Sequence, residues 1–190
     1  MQSTFRHRSI TELEHGLADV RSSPADAGLL MAIFVRPTTN ERKTLESAML
    51  TPERGIDGDR WITDSFYRLD DGQSDPRCQV SLMNYRYLLQ IAGQNDNMCL
   101  AGNNLILDLD LSDASLPPGG QVAIGPDVVI EISNLSHTAC SKFAGRFGTA
   151  ARTFTNKVQG KSLHLRGRYA RVVRGGTIRV GDAVHKIALA

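Results

Sequence analysis

The 190-residue chain predicts a mainly β protein with a closed or sandwiched sheet, and three observations predict it. Short β-prone runs recur over 28–35, 43–50, 79–83, 104–109, 121–124, 128–132, 170–173, 177–180 and 183–187. Turn residues punctuate them, notably Gly125-Pro126-Asp127, Gly175-Gly176 and Gly181-Asp182. Helical patterning is confined to the N-terminus and to two internal segments, 84–92 and 141–154.

The N-terminal helix has its own start signal. Ser9-Ile10-Thr11-Glu12 reads as a capping box, with Ile10, Leu13, Leu17 and Val20 at helical spacing. The helix is expected to run to about Arg21 and to end at Ser22-Ser23-Pro24. Residues 1–26 therefore read as a helical extension and 27–190 as one domain, without repeats or a low-complexity linker. The stretch 63–77 is polar and carries Asp64, Asp70, Asp71 and Asp75. It reads as a solvated loop, with a flap or a hard-cation site as alternatives, although its spacing is not that of an EF-hand.

Composition excludes several classes. The net charge is +2, and the apolar and charged fractions are those of an ordinary globular protein. Cys78, Cys99 and Cys140 are an odd number with no CxxC pair, which argues against a disulfide framework or a four-cysteine zinc site. No apolar run approaches the ~20 residues of a membrane span, and the N-terminus lacks the apolar centre of a signal peptide. A cytoplasmic location is the expectation, with no membrane partner. The basic stretch lacks interleaved aromatics, which argues against nucleic acid.

The charge asymmetry is internal. Between Glu131 and Asp182 there is no acidic residue, while Lys142, Arg146, Arg152, Lys157, Lys161, Arg166, Arg168, Arg171, Arg174 and Arg179 fall there. Cys140 stands at the head of this run. Positive surroundings favour the thiolate, the form that attacks or ligates, and would hold an anion such as phosphate. The charge pattern alone leaves an inert buried cysteine open.

The order of short motifs carries a resemblance. Gly55-Ile56-Asp57-Gly58-Asp59-Arg60 is followed by Arg77-Cys78-Gln79-Val80-Ser81-Leu82-Met83 and Gly102-Asn103-Asn104-Leu105. Leu116-Pro117-Pro118-Gly119, His137-Thr138-Ala139-Cys140-Ser141-Lys142-Phe143 and Leu165-Arg166-Gly167-Arg168-Tyr169 come next, then Val180-Gly181-Asp182. The chain resembles the MOSC domain family, most nearly its small stand-alone bacterial members, over roughly 27–187. The resemblance implies a single closed β-barrel whose motif cysteine, here Cys140, faces a molybdenum cofactor (molybdopterin) as metal ligand or sulfur carrier. It also implies an oxidoreductase acting on N-hydroxylated compounds with an electron-transfer partner, or a carrier serving a cofactor-acceptor protein. Two departures are visible: Trp61 follows Asp59-Arg60 where many relatives have His, and Cys78 separates Arg77 from Gln79.

Beside Cys140, the candidate site residues are His137 for proton transfer and Lys142, Arg146, Arg166 and Arg168 for the pterin phosphate. Strand alternation is expected to set Arg166 and Arg168 on one face. Arg60 is expected to contact an anion or to pair with Asp59. Arg77, Gln79, Ser81 and Asn103 complete the expected cofactor-binding set. His137-x-x-Cys140 as half of a zinc site lacks a second ligand pair.

Overall fold

Period-two alternation in the strands separates two hydrophobic cores. In the computed structural model, which describes residues 6–93 and 95–187, β1 (Gly28–Val35) sends Leu30, Ile33 and Val35 into one core and Phe34 into the other. The same division recurs in β5 (Val80–Asn84), where Val80 and Leu82 oppose Met83, and in β6 (Leu105–Asp108), where Leu105 and Leu107 oppose Ile106. The first core fills a barrel, so no open channel runs through it. The second lies between the barrel wall and a layer of helices.

The barrel has seven strands. The remaining members are β7 (Gln121–Ile124), β8 (Val128–Ile132), β9 (Arg168–Arg174) and β11 (Ala183–Ile187), in the order β11-β7-β8-β9-β5-β6-β1. Closure comes from β1 against β11, with Gly28 opposite Val184 and Leu29 opposite Ala183. Among the described strands only β5–β6 is a parallel pair, and α3 (Tyr85–Ala92) supplies the crossover such a pair requires. Outside the barrel, β2 (Lys43–Leu45) extends β1, while β3 (Ser47–Thr51), β4 (Gly55–Ile56) and β10 (Gly176–Arg179) form a small second sheet. The mainly β, closed architecture agrees with the sequence.

The helices cover one side of the barrel. The capping box at Ser9 is present, but the N-terminal helix is two pieces, α1 (Ile10–His15) and α2 (Leu17–Arg21), joined at Gly16. A Cβ at Gly16 would strike the Gln90 side chain, whose amide bonds the carbonyls of Glu12 and Leu13. Leu13, Leu17 and Val20 are buried in the second core beside α3, so this extension packs on its own barrel. The run expected over 141–154 is likewise two helices, α4 (Ser141–Phe147) and α5 (Thr149–Asn156). Gly148 divides them at φ 93°, a conformation glycine adopts at little cost. A further short helix, α6 (Val158–Ser162), was not evident from sequence.

The loop at 63–77 is tied down. Tyr67 donates from its hydroxyl to the Ser136 carbonyl, Trp61 Nε1 donates to the Asp75 carbonyl, and Asp75 caps a 3-10 turn at Pro76–Cys78. Its carboxylates do not gather: Asp64 pairs with Arg60 and Asp75 with Arg77, and the described residues contain no metal-binding cluster.

Gly167, at φ 98°, lets the turn before β9 touch β5. A Cβ there would sit 1.8 Å from the Leu82 carbonyl oxygen and 2.8 Å from Asn103 Nδ2. Gly167→Ala is therefore expected to cost about 3 kcal/mol or more through combined clash and backbone strain. Urea unfolding checks it, with an unchanged midpoint as the contrary result.

Candidate functional site

Cys140 is presented by the crossover from β8 to α4. The preceding residue is clamped: Asn156 Oδ1 accepts from Ala139 N–H, and its Nδ2 donates to the Ala139 carbonyl, both at 2.9 Å. Phe143 and Phe147, buried in the second core, anchor the helix behind it. Cys140 caps α4 and is exposed, whereas Cys78 is buried and Cys99 half-buried. Partial burial would raise its thiol pKa. The backbone N–H groups of Phe143 and Lys142, then the charge of Arg166, outweigh that effect and lower it.

The thiol opens on a cavity of about 150 Å³ whose charged lining is Arg36, Arg42, Arg60, Lys142, Arg146 and Arg166, with no carboxylate. Three cations come from the N-terminal third and three from the basic run. Arg36, just past β1, is held by Asp59: Nε to Oδ2 and Nη2 to Oδ1 are both 2.9 Å. Asn104 Nδ2 donates to the same carboxylate at 2.9 Å, while its Oδ1 accepts from the Ser81 hydroxyl and backbone N–H. Burial would raise the Asp59 pKa, but the Arg36 bonds lower it overall. Arg60 is paired too, with Asp64 at 2.7 Å.

Among the described residues, no carboxylate pairs with the other four. Arg42 is lowered in pKa by burial and by Arg146, Arg36 and Arg60, and its buried Nε has no hydrogen-bond partner. Gly102 separates it from Arg146, which donates to the Leu100 carbonyl at 2.8 Å. Arg166 lies 5.2 Å from the Phe143 ring centroid, donates to the Ala101 carbonyl at 3.1 Å and to Asn103 Oδ1, and leaves its buried Nε unpartnered. Burial pushes its pKa down to about 10, against the raising influence of Tyr169 and Cys140. Crowded cations beside an acidified thiol form an anion pocket with a soft donor at its edge.

A family model for the MOSC domain matches residues 67–185. The chain belongs to the MOSC domain family. Among solved structures, the YuaD protein of Bacillus subtilis is similar at 14% identity and a TM-score of 0.63, over 86% of this chain and 97% of that one. YiiM of Escherichia coli is similar at 13% identity and 0.54, over 87% and 70%. At these identities the likeness is one of fold. No curated protein matches the chain.

Within this MOSC domain, Cys140, Lys142, Arg146, Arg166 and Arg60 are brought to one pocket. Asn103 stands behind Arg166 and, through Nδ2, ties it to the Leu82 carbonyl at 2.8 Å. The remaining candidates lie elsewhere. Arg168 is buried on the carbonyls of Leu111 and Leu116, because β9 begins at Arg168 and the turn at Gly167 breaks the alternation that would have joined it to Arg166. Arg77 pairs with Asp75 on a different face, since Cys78 lies in the 3-10 turn between it and the strand. Gln79 bonds the Pro52 carbonyl and Val172 N–H, and Ser81 is spent on Asn104. Arg60 takes Asp64 rather than Asp59, which Arg36 occupies.

His137 lines a neighbouring cavity that shares Arg166. Its ring stacks on Tyr169 with centroids 4.2 Å apart, and burial and then Arg166 hold its pKa well below the ordinary value. Its imidazolium form is thereby disfavoured, and its buried Nδ1 has no hydrogen-bond partner among the described residues. Arg36 and Arg42 escaped the sequence reading, which took its cations from the acid-free run and from the motifs at Arg60 and Arg77. The signal available was Asp59, a carboxylate in a tight turn that needs a partner if buried.

Two outcomes follow from this geometry. Iodoacetamide is expected to label Cys140 ahead of Cys78 and Cys99, with half-maximal rate at a pH below the ordinary thiol value of 9.0. Arg166→Met should move that profile to higher pH, and an unmoved profile would contradict the assignment. Asp59→Asn leaves Arg36 without its counter-charge and is expected to cost about 3–5 kcal/mol in chemical denaturation.

Proposed function

We propose that this protein binds a molybdenum–pterin cofactor in the Cys140 pocket, with Cys140 as a ligand to the metal or a carrier of its sulfur. The observation that carries the proposal is the meeting of an acidified, exposed thiol with six cations in one cavity. Two buried guanidinium N–H groups there, on Arg42 and Arg166, have no acceptor, and phosphate oxygens are acceptors only. The residues therefore fit an anionic group carrying a soft metal. When bound, that group supplies redox and sulfur chemistry.

The chain's own residues set the conditions. Arg42, Lys142 and Arg146 would hold the phosphate, while Arg36 and Arg60, already paired, would shape the wall. The backbone N–H groups of Phe143 and Lys142, and then Arg166, favour the thiolate of Cys140. The chain would then support reduction of N-hydroxylated compounds, with a separate protein delivering electrons. A second reading, a carrier that passes sulfur or cofactor to an acceptor protein, is favoured by the exposure of Cys140. It is favoured also by the absence from the sequence of a GxGxxG loop or a cysteine cluster for iron–sulfur ligation.

The test is metal and pterin content after purification from cells that make the cofactor. Molybdenum in the native protein and its loss in Cys140→Ala are expected for ligation. Metal retained with a persulfide lost in that variant would support sulfur carriage. Metal absent from both sinks the proposal.

A further inference from the structure

Cys140 opens on a space that suits a small reacting anion as well as the end of a cofactor. The cavity is about 150 Å³, and its charged lining is Arg36, Arg42, Arg60, Lys142, Arg146 and Arg166, with no carboxylate. It is small beside the roughly 300–1,000 Å³ of sites for drug-sized ligands, so one compact group fills it. That group is the phosphate end of something larger or a small dianion by itself. Apart from the thiol, the apolar side chains of the lining are those of Ala101 and Phe143, so the wall selects by charge.

A thiolate does not meet a dianion unaided, because like charges repel. The cations of this cavity offset that repulsion. Arg36 and Arg60 keep carboxylate partners in Asp59 and Asp64, which leaves Arg42, Lys142, Arg146 and Arg166 to face an incoming anion. Arg42 and Arg166 each hold a buried Nε–H without an acceptor. Sulfonate oxygens, like phosphate oxygens, only accept. The sulfur differs in kind from these groups. It is exposed, and a thiol does chemistry on a bound anion when that anion carries an electrophilic sulfur. Thiosulfate is a small dianion of this description, with a sulfonate for the cations and an outer sulfur for the thiolate.

We infer a further activity, in which thiosulfate enters this cavity as a sulfur donor and Cys140 takes its outer sulfur to become a persulfide. The inference rests on the sulfur-carrier reading of Cys140 and supplies its donor class, a small dianion bearing a sulfonate. The thiolate attacks the outer sulfur. A bond forms between that sulfur and Sγ, and the sulfur–sulfur bond of thiosulfate breaks. The electron pair leaves with sulfite, no proton moves, and no outside oxidant or reductant takes part. Charge builds on the departing sulfite, and the surrounding cations stabilise it. The exposed position of Cys140 leaves the terminal sulfur open to an acceptor. Cyanide, as the acceptor, removes it as thiocyanate and restores the thiolate.

Full-length protein made in cells without the molybdenum cofactor tests it. With thiosulfate alone, mass spectrometry should find one sulfur added to Cys140, and sulfite should be released in equal amount. With thiosulfate and cyanide, thiocyanate should form over many turnovers. Cys140→Ser should abolish this, and Cys78→Ser should not. Changing Arg42 and Arg146 together to Met should lower kcat/KM for thiosulfate about tenfold or more. That variant should keep the native circular-dichroism spectrum and still be alkylated at Cys140 by uncharged iodoacetamide, which separates loss of the cations from loss of the fold. Polysulfide, a donor without sulfonate oxygens, separates the two readings. Cys140 loaded by polysulfide but not by thiosulfate would overturn the donor class and leave sulfur carriage standing. Loading by neither would overturn both and leave metal ligation alone. Sulfur found on Cys78 or Cys99 instead of Cys140, or an unchanged kcat/KM in the double variant, would also overturn the inference.

Discussion

A half-buried guanidinium, with no carboxylate partner among the described residues, is the constraint around which this protein is organised. Arg166 is half-buried, with its Nε shielded and unpartnered, and its partners are a carbonyl, the Asn103 amide and the Phe143 ring. A buried cation without a counter-charge is expensive, and proteins usually provide an anion for it. Tyr169 and then Cys140 favour the charged form of Arg166, and Arg166 in turn favours the Cys140 thiolate. Arg166 also lines both cavities, so each is influenced by its charge.

The fold delivers this arrangement by closing a barrel whose interior is filled with side chains. With no space inside, the chemistry falls to the outside, between the end of β1, the loop before β6, the turn before β9 and the start of α4. These pieces are far apart in sequence. Arg36 is tied to Asp59, Asn104 and Ser81 by buried hydrogen bonds, and Asn156 holds Ala139 beside the thiol. Polar residues of the family motifs thus serve mostly as supports. Those that face the cavity are long cations standing on the supports.

Much of the fold was legible because its strands obey local rules. The expected bounds of β1, β7, β8 and β11 match the structure, each being an apolar run closed by turn residues. Helices read as continuous were divided at Gly16 and Gly148, where close packing against Gln90 or a positive φ decided the break. The basic run and Cys140 were also legible, and Lys142, Arg146 and Arg166 do share its cavity. Arg36 and Arg42 were not, because only the barrel brings residues a hundred positions away to the thiol. Arg168, Gln79 and Ser81 misled for the opposite reason. They belong to motifs near the site, but burial commits their polar atoms to the backbone or to Asn104.

The central claim is that the cations around Cys140 form an anion site that includes the thiol. Protection of Cys140 from iodoacetamide by inorganic phosphate, at constant ionic strength against chloride, tests it most directly. Phosphate is expected to slow alkylation of Cys140 saturably in the native protein and to lose that effect when Arg42 and Arg146 are both changed to Met. Alkylation that proceeds equally in phosphate and chloride would contradict the claim.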